Sequence, residues 1–283
     1  MSDPLADAEA AVRAGDPTRA LAALTAAVKA NPAKAKLRIF LAQLLCVTGA
    51  WERAHTQLNV VAEMDPEAGP MREMVGYALR CEKIRAAVFE GRRSPMVFGQ
   101  PDEWLALLIE SMLQAGQGAA EQSNLLAGRA FDAAPATRGQ LNGEAFEWIA
   151  DADSRLGPVL EAMVNGRYYW IPFNRLARVS VDAPTDLRDH VWLPANVQFA
   201  NGGEVIAMIP TRYPGSEASS DGLIQMARKT EWREIGPDRF AGLGQRVLVT
   251  DQGEHDILGL RLLELEPSAE ADAEAAPSGP AHG

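Results

Sequence analysis

The sequence predicts an α+β protein, an array of helical hairpins followed by an antiparallel, β-rich, barrel-like domain. Three observations carry this. Residue identities recur at an offset of 34 through the first quarter of the chain. After Gly143, short β-branched and aromatic runs alternate with turn signals. The last large apolar residue is Leu265, beyond which the chain is almost entirely Ala, Glu, Asp, Pro, Ser and Gly. The expected organisation is a helical domain over 1–142, a β-rich domain over 143–267 and a disordered tail over 268–283.

The repeat is carried by five pairs at the same offset: Ala8 and Ala42, Gly15 and Gly49, Ala20 and Ala54, Leu24 and Leu58, Pro32 and Pro66. Each residue type has a physical cause. Alanines let two helices approach closely, glycines take the left-handed conformation of a tight turn, and prolines stop the second helix from continuing. These features match the 34-residue helix–turn–helix of tetratricopeptide repeats. A third first-helix is expected over 71–90, with an irregular partner. The segment 91–101, containing Ser94-Pro95 and Gly99, breaks the stack. A later hairpin is expected from helices over 102–114 and 119–134, turning at Gly118. Stacked hairpins leave a groove suited to a peptide or helix. In this register the candidate partner-binding groove is lined by Arg13, Ile39, Gln43, Tyr77 and Arg80, with Leu108 and Met112 from the later unit.

In the second half, strands are expected over 146–150, 158–164, 167–173, 177–181, 191–194, 197–199, 204–209, 230–235, 247–250 and 257–265. Asn165-Gly166 is the strongest hairpin signal, because a two-residue turn needs positive φ at both positions. Asp221 is placed to cap a short helix over 221–227. Strands this numerous and short suggest a sheet curling toward a barrel. Alternation puts Tyr168 and Trp170 on one face and Tyr169 on the other, so at least one set belongs to a core.

The net charge of −11 is uneven. Residues 1–142 carry 15 Lys/Arg against 16 Asp/Glu, and residues 143–283 carry 12 against 22. An acidic second half disfavours nucleic acid and anionic membrane surfaces as partners. Cys46 and Cys81 lie in apolar helical patterns and read as buried and reduced. With no signal-peptide pattern and no apolar run long enough to span a bilayer, a soluble cytoplasmic protein is expected.

Motifs for chemistry are sparse. The sequence contains no HExxH, CxxC, P-loop or GxSxG, and His55, His190, His255 and His282 lack metal-ligand spacing, so neither metal nor cofactor is expected. Gly242-Leu243-Gly244 lacks the third glycine and the following helix of a dinucleotide site. Asp189-His190, adjacent in sequence, does not make a catalytic dyad. The most site-like stretch is Asp151-Ala152-Asp153-Ser154-Arg155. It reads either as an acid–base pair, making a hydrolase the alternative function, or as a turn whose carboxylates bind local amides.

Several longer runs carry a family likeness. Trp148-Ile149-Ala150-Asp151-Ala152-Asp153-Ser154-Arg155-Leu156-Gly157-Pro158, Asn165-Gly166-Arg167-Tyr168-Tyr169-Trp170-Ile171-Pro172-Phe173 and Ile209-Pro210-Thr211-Arg212-Tyr213-Pro214-Gly215-Ser216-Glu217 stand in order. Together with Val191-Trp192-Leu193-Pro194-Ala195 and Arg228-Lys229-Thr230-Glu231-Trp232, they resemble the ImpE/SciE family, also called TagJ-like proteins. The resemblance spans about residues 5–266. It implies a non-enzymatic accessory protein of bacterial type VI secretion systems. Implied partners are the N-terminal helix of the small sheath subunit and the AAA+ ATPase that disassembles contracted sheaths. It carries over no catalytic residue. A general tetratricopeptide scaffold for another client is a further alternative, although the groove lacks the Lys/Arg cluster that would hold a terminal carboxylate.

Overall fold

A computed structural model describes residues 4–266. The repeat is realised as two hairpins, α1 (Pro4–Arg13) with α2 (Pro17–Ala30), and α3 (Ala35–Val47) with α4 (Trp51–Met64). Gly15 and Gly49 turn them with φ of +80° and +69°. Asp16 caps α2, accepting from the Arg19 amide at 2.9 Å, and Pro17 opens the first turn where no amide is needed. Ala8, Ala20, Ala42 and Ala54 are all buried, the close helix contacts that the repeat requires. After α5 (Gly69–Phe89) the periodicity fails. Where a partner helix would follow, Ser94-Pro95 forces an extended path that becomes β1 (Met96–Val97). A separate hairpin, α6 (Glu103–Gly116) and α7 (Ala120–Ala133), closes the helical part.

The remaining strands are β2 (Gly139–Leu141), β3 (Glu144–Phe146), β4 (Ile149–Asp151), β5 (Val159–Val164), β6 (Arg167–Pro172), β7 (Leu176–Val181), β8 (Trp192–Phe199), β9 (Glu204–Pro210), β10 (Thr230–Gly236), β11 (Arg239–Gly244), β12 (Val247–Thr250), β13 (Gly253–Asp256) and β14 (Leu262–Leu265). Nine form one sheet in the order β1-β6-β5-β9-β8-β7-β14-β2-β3. The order β13-β12-β4 makes a second sheet, and β10-β11 is a separate ribbon.

No sheet closes on itself among the described residues, so the barrel-like expectation is corrected. A barrel fills its interior by joining its first and last strands. Here the terminal strands β1 and β3 lie at opposite ends of the order, and the β5 and β6 faces pack on different elements. One face gives Val159, Met163, Tyr168 and Trp170 to the core of the helices. The other gives Leu160, Ala162, Val164 and Ile171 to a second core beneath Ile149 and Leu248 of the three-stranded sheet.

Several local expectations differ in detail. The strand expected over 146–150 is split between β3 and β4, and those over 191–194 and 197–199 are one strand, β8. Residues 257–265 begin as a 3-10 turn, Ile257–Gly259, before β14. Asn165 and Gly166 have φ of 50° and 74°, as their hairpin demands. Asp221 caps a short helix, α8 (Gly222–Gln225), accepting from the Leu223 amide at 2.8 Å. The tail expected over 268–283 lies outside the described residues.

Candidate functional site

The groove residues do not share one environment. Arg13 is exposed, 4.0 Å from Glu9 one turn earlier on α1. Ile39 and Gln43 are half-buried on α3. Tyr77 is half-buried on α5, donates to Glu73 at 2.8 Å, and has the exposed Arg80 guanidinium 4.7 Å from its ring centre. Leu108 and Met112, by contrast, are buried core residues and line no open groove. The extended segment before α6 takes that helix out of the repeat register, so its apolar face packs inward.

The segment linking β9 to β10 meets the turns of the first two hairpins, and the β5–β6 turn meets the middle of α5. Gly15 lies against Leu223, Gly49 against Glu217, and Gly166 against the Tyr77 ring. Arg212 closes the end of α3, donating to the carbonyls of Cys46 at 2.9 Å and Val47 at 2.6 Å. A cation there complements the negative end of the helix dipole. Trp192 leans on Trp51 in a tilted contact with centroids 5.9 Å apart, and its indole donates to Glu82 of α5 at 2.8 Å.

At the centre of this seam is a buried ionic chain. Arg85 of α5 donates to both oxygens of Glu161 on β5, at 2.7 and 2.9 Å, and to the Arg212 carbonyl at 2.9 Å. Glu161 also accepts from the Tyr168 hydroxyl at 2.5 Å and lies 3.4 Å from Arg246. Arg246 grips Asp151 through two donors at 2.9 and 2.7 Å. Tyr213 and the Asp153 amide satisfy the other Asp151 oxygen, each at 2.9 Å. Burial pushes the Glu161 carboxyl up, but Arg85 and Arg246 outweigh it and hold it at about 2. At Asp151 burial wins over Arg246, raising the carboxyl to about 6.

This geometry decides between the two readings of the acidic stretch. Asp153 is fully buried and accepts from the Arg155 amide and side chain and from the Gly242 amide at 2.8 Å. Both carboxylates are therefore committed to fixed donors, and neither is open to a substrate. A cavity of about 450 Å³ lies elsewhere, over β7, β8 and β9, lined by Arg178, Asn196, Gln198, Glu204 and Ile206. The described residues contain no cluster of three His, Cys, Asp or Glu able to hold a metal, and no helix long and apolar enough to cross a membrane. Cys46 and Cys81 are buried free thiols, and burial pushes Cys46 up to about 12.

Comparison with known proteins adds to these observations. The family model described as ImpE protein matches residues 143–264, and a tetratricopeptide repeat model matches 11–73. The type VI secretion system accessory component TagJ of Pseudomonas aeruginosa is 47% identical over 261 residues, which cover 92% of each chain. The chain belongs to the ImpE family. A crystal structure of a Vibrio parahaemolyticus protein has the same architecture, with a TM-score of 0.84 at 25% identity over 93% of this chain and 98% of that one. The ImpE-matched region holds Glu161, Asp151, Arg212, Tyr213 and Arg246, while Arg85 enters from the helices. The ionic chain thus joins the ImpE region to the helical array, and sequence reasoning missed it. One signal was present: Glu161 stands alone in the apolar run Val159-Leu160-Glu161-Ala162-Met163-Val164. A charge in a strand buried on both faces requires a partner.

Proposed function

We propose that this ImpE-family chain is a non-enzymatic accessory component of a type VI secretion system. In this reading it acts in the cytoplasm, holds the N-terminal helix of the small sheath subunit on its helical array, and links it to the AAA+ ATPase that disassembles contracted sheaths. The reading rests on the relative's role as a type VI secretion accessory component, on the partners that the family resemblance implies, and on one structural observation. The turns of the first two hairpins are covered by the segment between β9 and β10 and Tyr77 by the β5–β6 turn, but α3 keeps Ile39 and Phe40, and α5 keeps Met74, half-buried at their surface. An amphipathic helix would bury an apolar stripe against such positions, and Arg13 and Arg80 at the rim would set its orientation. Residues 1–142 would thus form the recognition part, and 143–267 the part that fixes it.

The test is calorimetric titration of the full chain with a peptide of the sheath subunit's N-terminal helix from the same gene cluster, with a scrambled peptide as control. Saturable micromolar binding to the native peptide alone is expected, weakened at least about tenfold by Ile39→Glu. Equal heats from the two peptides would refute the reading.

A further inference from the structure

The β10–β11 ribbon is bound on one edge and open on the other. The outer edge of β11 is taken by the turn after β4: the Ser154 amide donates to the Phe240 carbonyl at 2.8 Å, the Phe240 amide to the Ser154 hydroxyl at 3.0 Å, and the Gly242 amide to Asp153 at 2.8 Å. The outer edge of β10 has no such cover. Among the described residues, the backbone from 231 to 235 hydrogen-bonds only to β11. Glu231, Trp232, Arg233 and Glu234 are consecutively exposed, and Trp232 is 39% exposed although it leans on Tyr213 with centroids 5.6 Å apart. An open edge of this kind is a template for another strand.

We propose that this edge pairs with the same edge of a second copy of the chain, giving an antiparallel four-stranded sheet centred on Trp232. Symmetry and charge select that occupant and register. A twofold axis normal to the sheet leaves each side chain on its own face, so it must pass between a residue and its own copy. The bulge between Glu234 and Gly236, with Pro237 beyond, limits regular pairing to 230–234, whose midpoint is Trp232. Centring on Glu231, Arg233 or Glu234 would set like charges directly opposite. Centring on Trp232 sets Glu231 of each copy opposite Arg233 of the other, on one face, and the two indoles opposite each other on the other face. Lys229 already holds the Glu231 carboxylate at 2.6 Å, while Arg233 has no ion-pair partner among the described residues. Pairing therefore supplies Arg233 with a carboxylate.

The contact is small, so a weak and reversible dimer is expected, populated at roughly 100 μM chain. Sedimentation equilibrium of the full chain measures it. Glu231→Arg and Arg233→Glu each replace two attractive pairs with two repulsive ones, and should weaken association at least about tenfold. An equimolar mixture of the two variants should associate again, because the first variant then carries arginine at both positions and faces glutamate at both positions of the second. Both sites are exposed, and circular dichroism checks that the variants fold. A wild-type chain that stays monomeric to about 500 μM, or a dimer indifferent to either reversal, or a mixture that fails to associate, would overturn the proposal.

Discussion

Replacing Arg85 by methionine tests whether the buried ionic chain holds the helical and strand regions together. The guanidinium makes two hydrogen bonds to Glu161 and one to the Arg212 carbonyl, and lies 3.6 Å from Glu82. Its loss strands a carboxylate with no access to water. Removing one partner of a buried pair costs about 3–5 kcal/mol. Glu161 would keep Tyr168 at 2.5 Å and Arg246 at 3.4 Å, which places the cost near the lower end, about 3 kcal/mol. With a urea dependence of about 3 kcal/mol per molar for a chain of this size, the midpoint should fall by about 1 M. Adding Glu161→Gln removes the stranded charge, so the double variant should be more stable than additivity of the single variants predicts, by at least about 1 kcal/mol. Urea unfolding followed by both tryptophan fluorescence and far-ultraviolet circular dichroism reads these values and tests whether the regions unfold together. A loss below about 1 kcal/mol in Arg85→Met would refute the argument. So would strict additivity of the two substitutions.

The pH dependence follows from the same chain of charges. Glu161, held at about 2 against an ordinary 4.5, contributes about 3 kcal/mol that is present above pH 4.5 and lost as pH falls through 2. Urea midpoints of the wild type should therefore fall more steeply than those of Glu161→Gln over that window. Asp151 has the opposite sign: raised to about 6, it takes up a proton on folding, so its contribution is greatest below pH 3.8 and declines as pH rises through 6. Asp151→Asn should abolish that decline. Gly166→Ala should cost about 2 kcal/mol, since its φ is +74° and a Cβ would come within 2.6 Å of the Tyr77 ring. A change below about 0.5 kcal/mol in thermal or urea unfolding would show that the turn and the ring give way freely.

Local signals in the sequence specify the structure where neighbours in the chain decide the conformation. Gly15, Gly49, Asn165 and Gly166 sit at turns whose positive φ depends only on the residue, and the spacing of buried alanines specifies helix contacts one turn apart. Where distant segments decide, local pattern is not enough. Leu108 and Met112 have the right helical spacing for a groove, but the path of 90–102 sets which way α6 faces. The sheet stays open because helices cover part of one face, which strand lengths alone do not reveal. β11 was not expected because Gly242 and Gly244 are poor strand residues. They are tolerated where Tyr213 and the Lys229 carbonyl crowd the backbone, leaving no room for a Cβ. The acidic stretch shows its paired carboxylates in sequence, but the partners Arg246 and Tyr213 that occupy Asp151 lie more than 60 residues away.

The segment between α5 and α6 is built into the sheet. Met96 and Val97 pair with Tyr169 and Trp170, Phe98 packs between Tyr169 and Phe199, and Arg175 binds the Phe98 carbonyl at 2.5 Å and Asp102 at 3.0 Å. Repeat arrays ordinarily change length by tandem duplication of a whole unit. Here a copy inserted after α5 would either pull this strand out of register with β6 or separate Arg85 from Glu161. A unit added before α1 would disturb neither contact, since no strand is threaded there among the described residues.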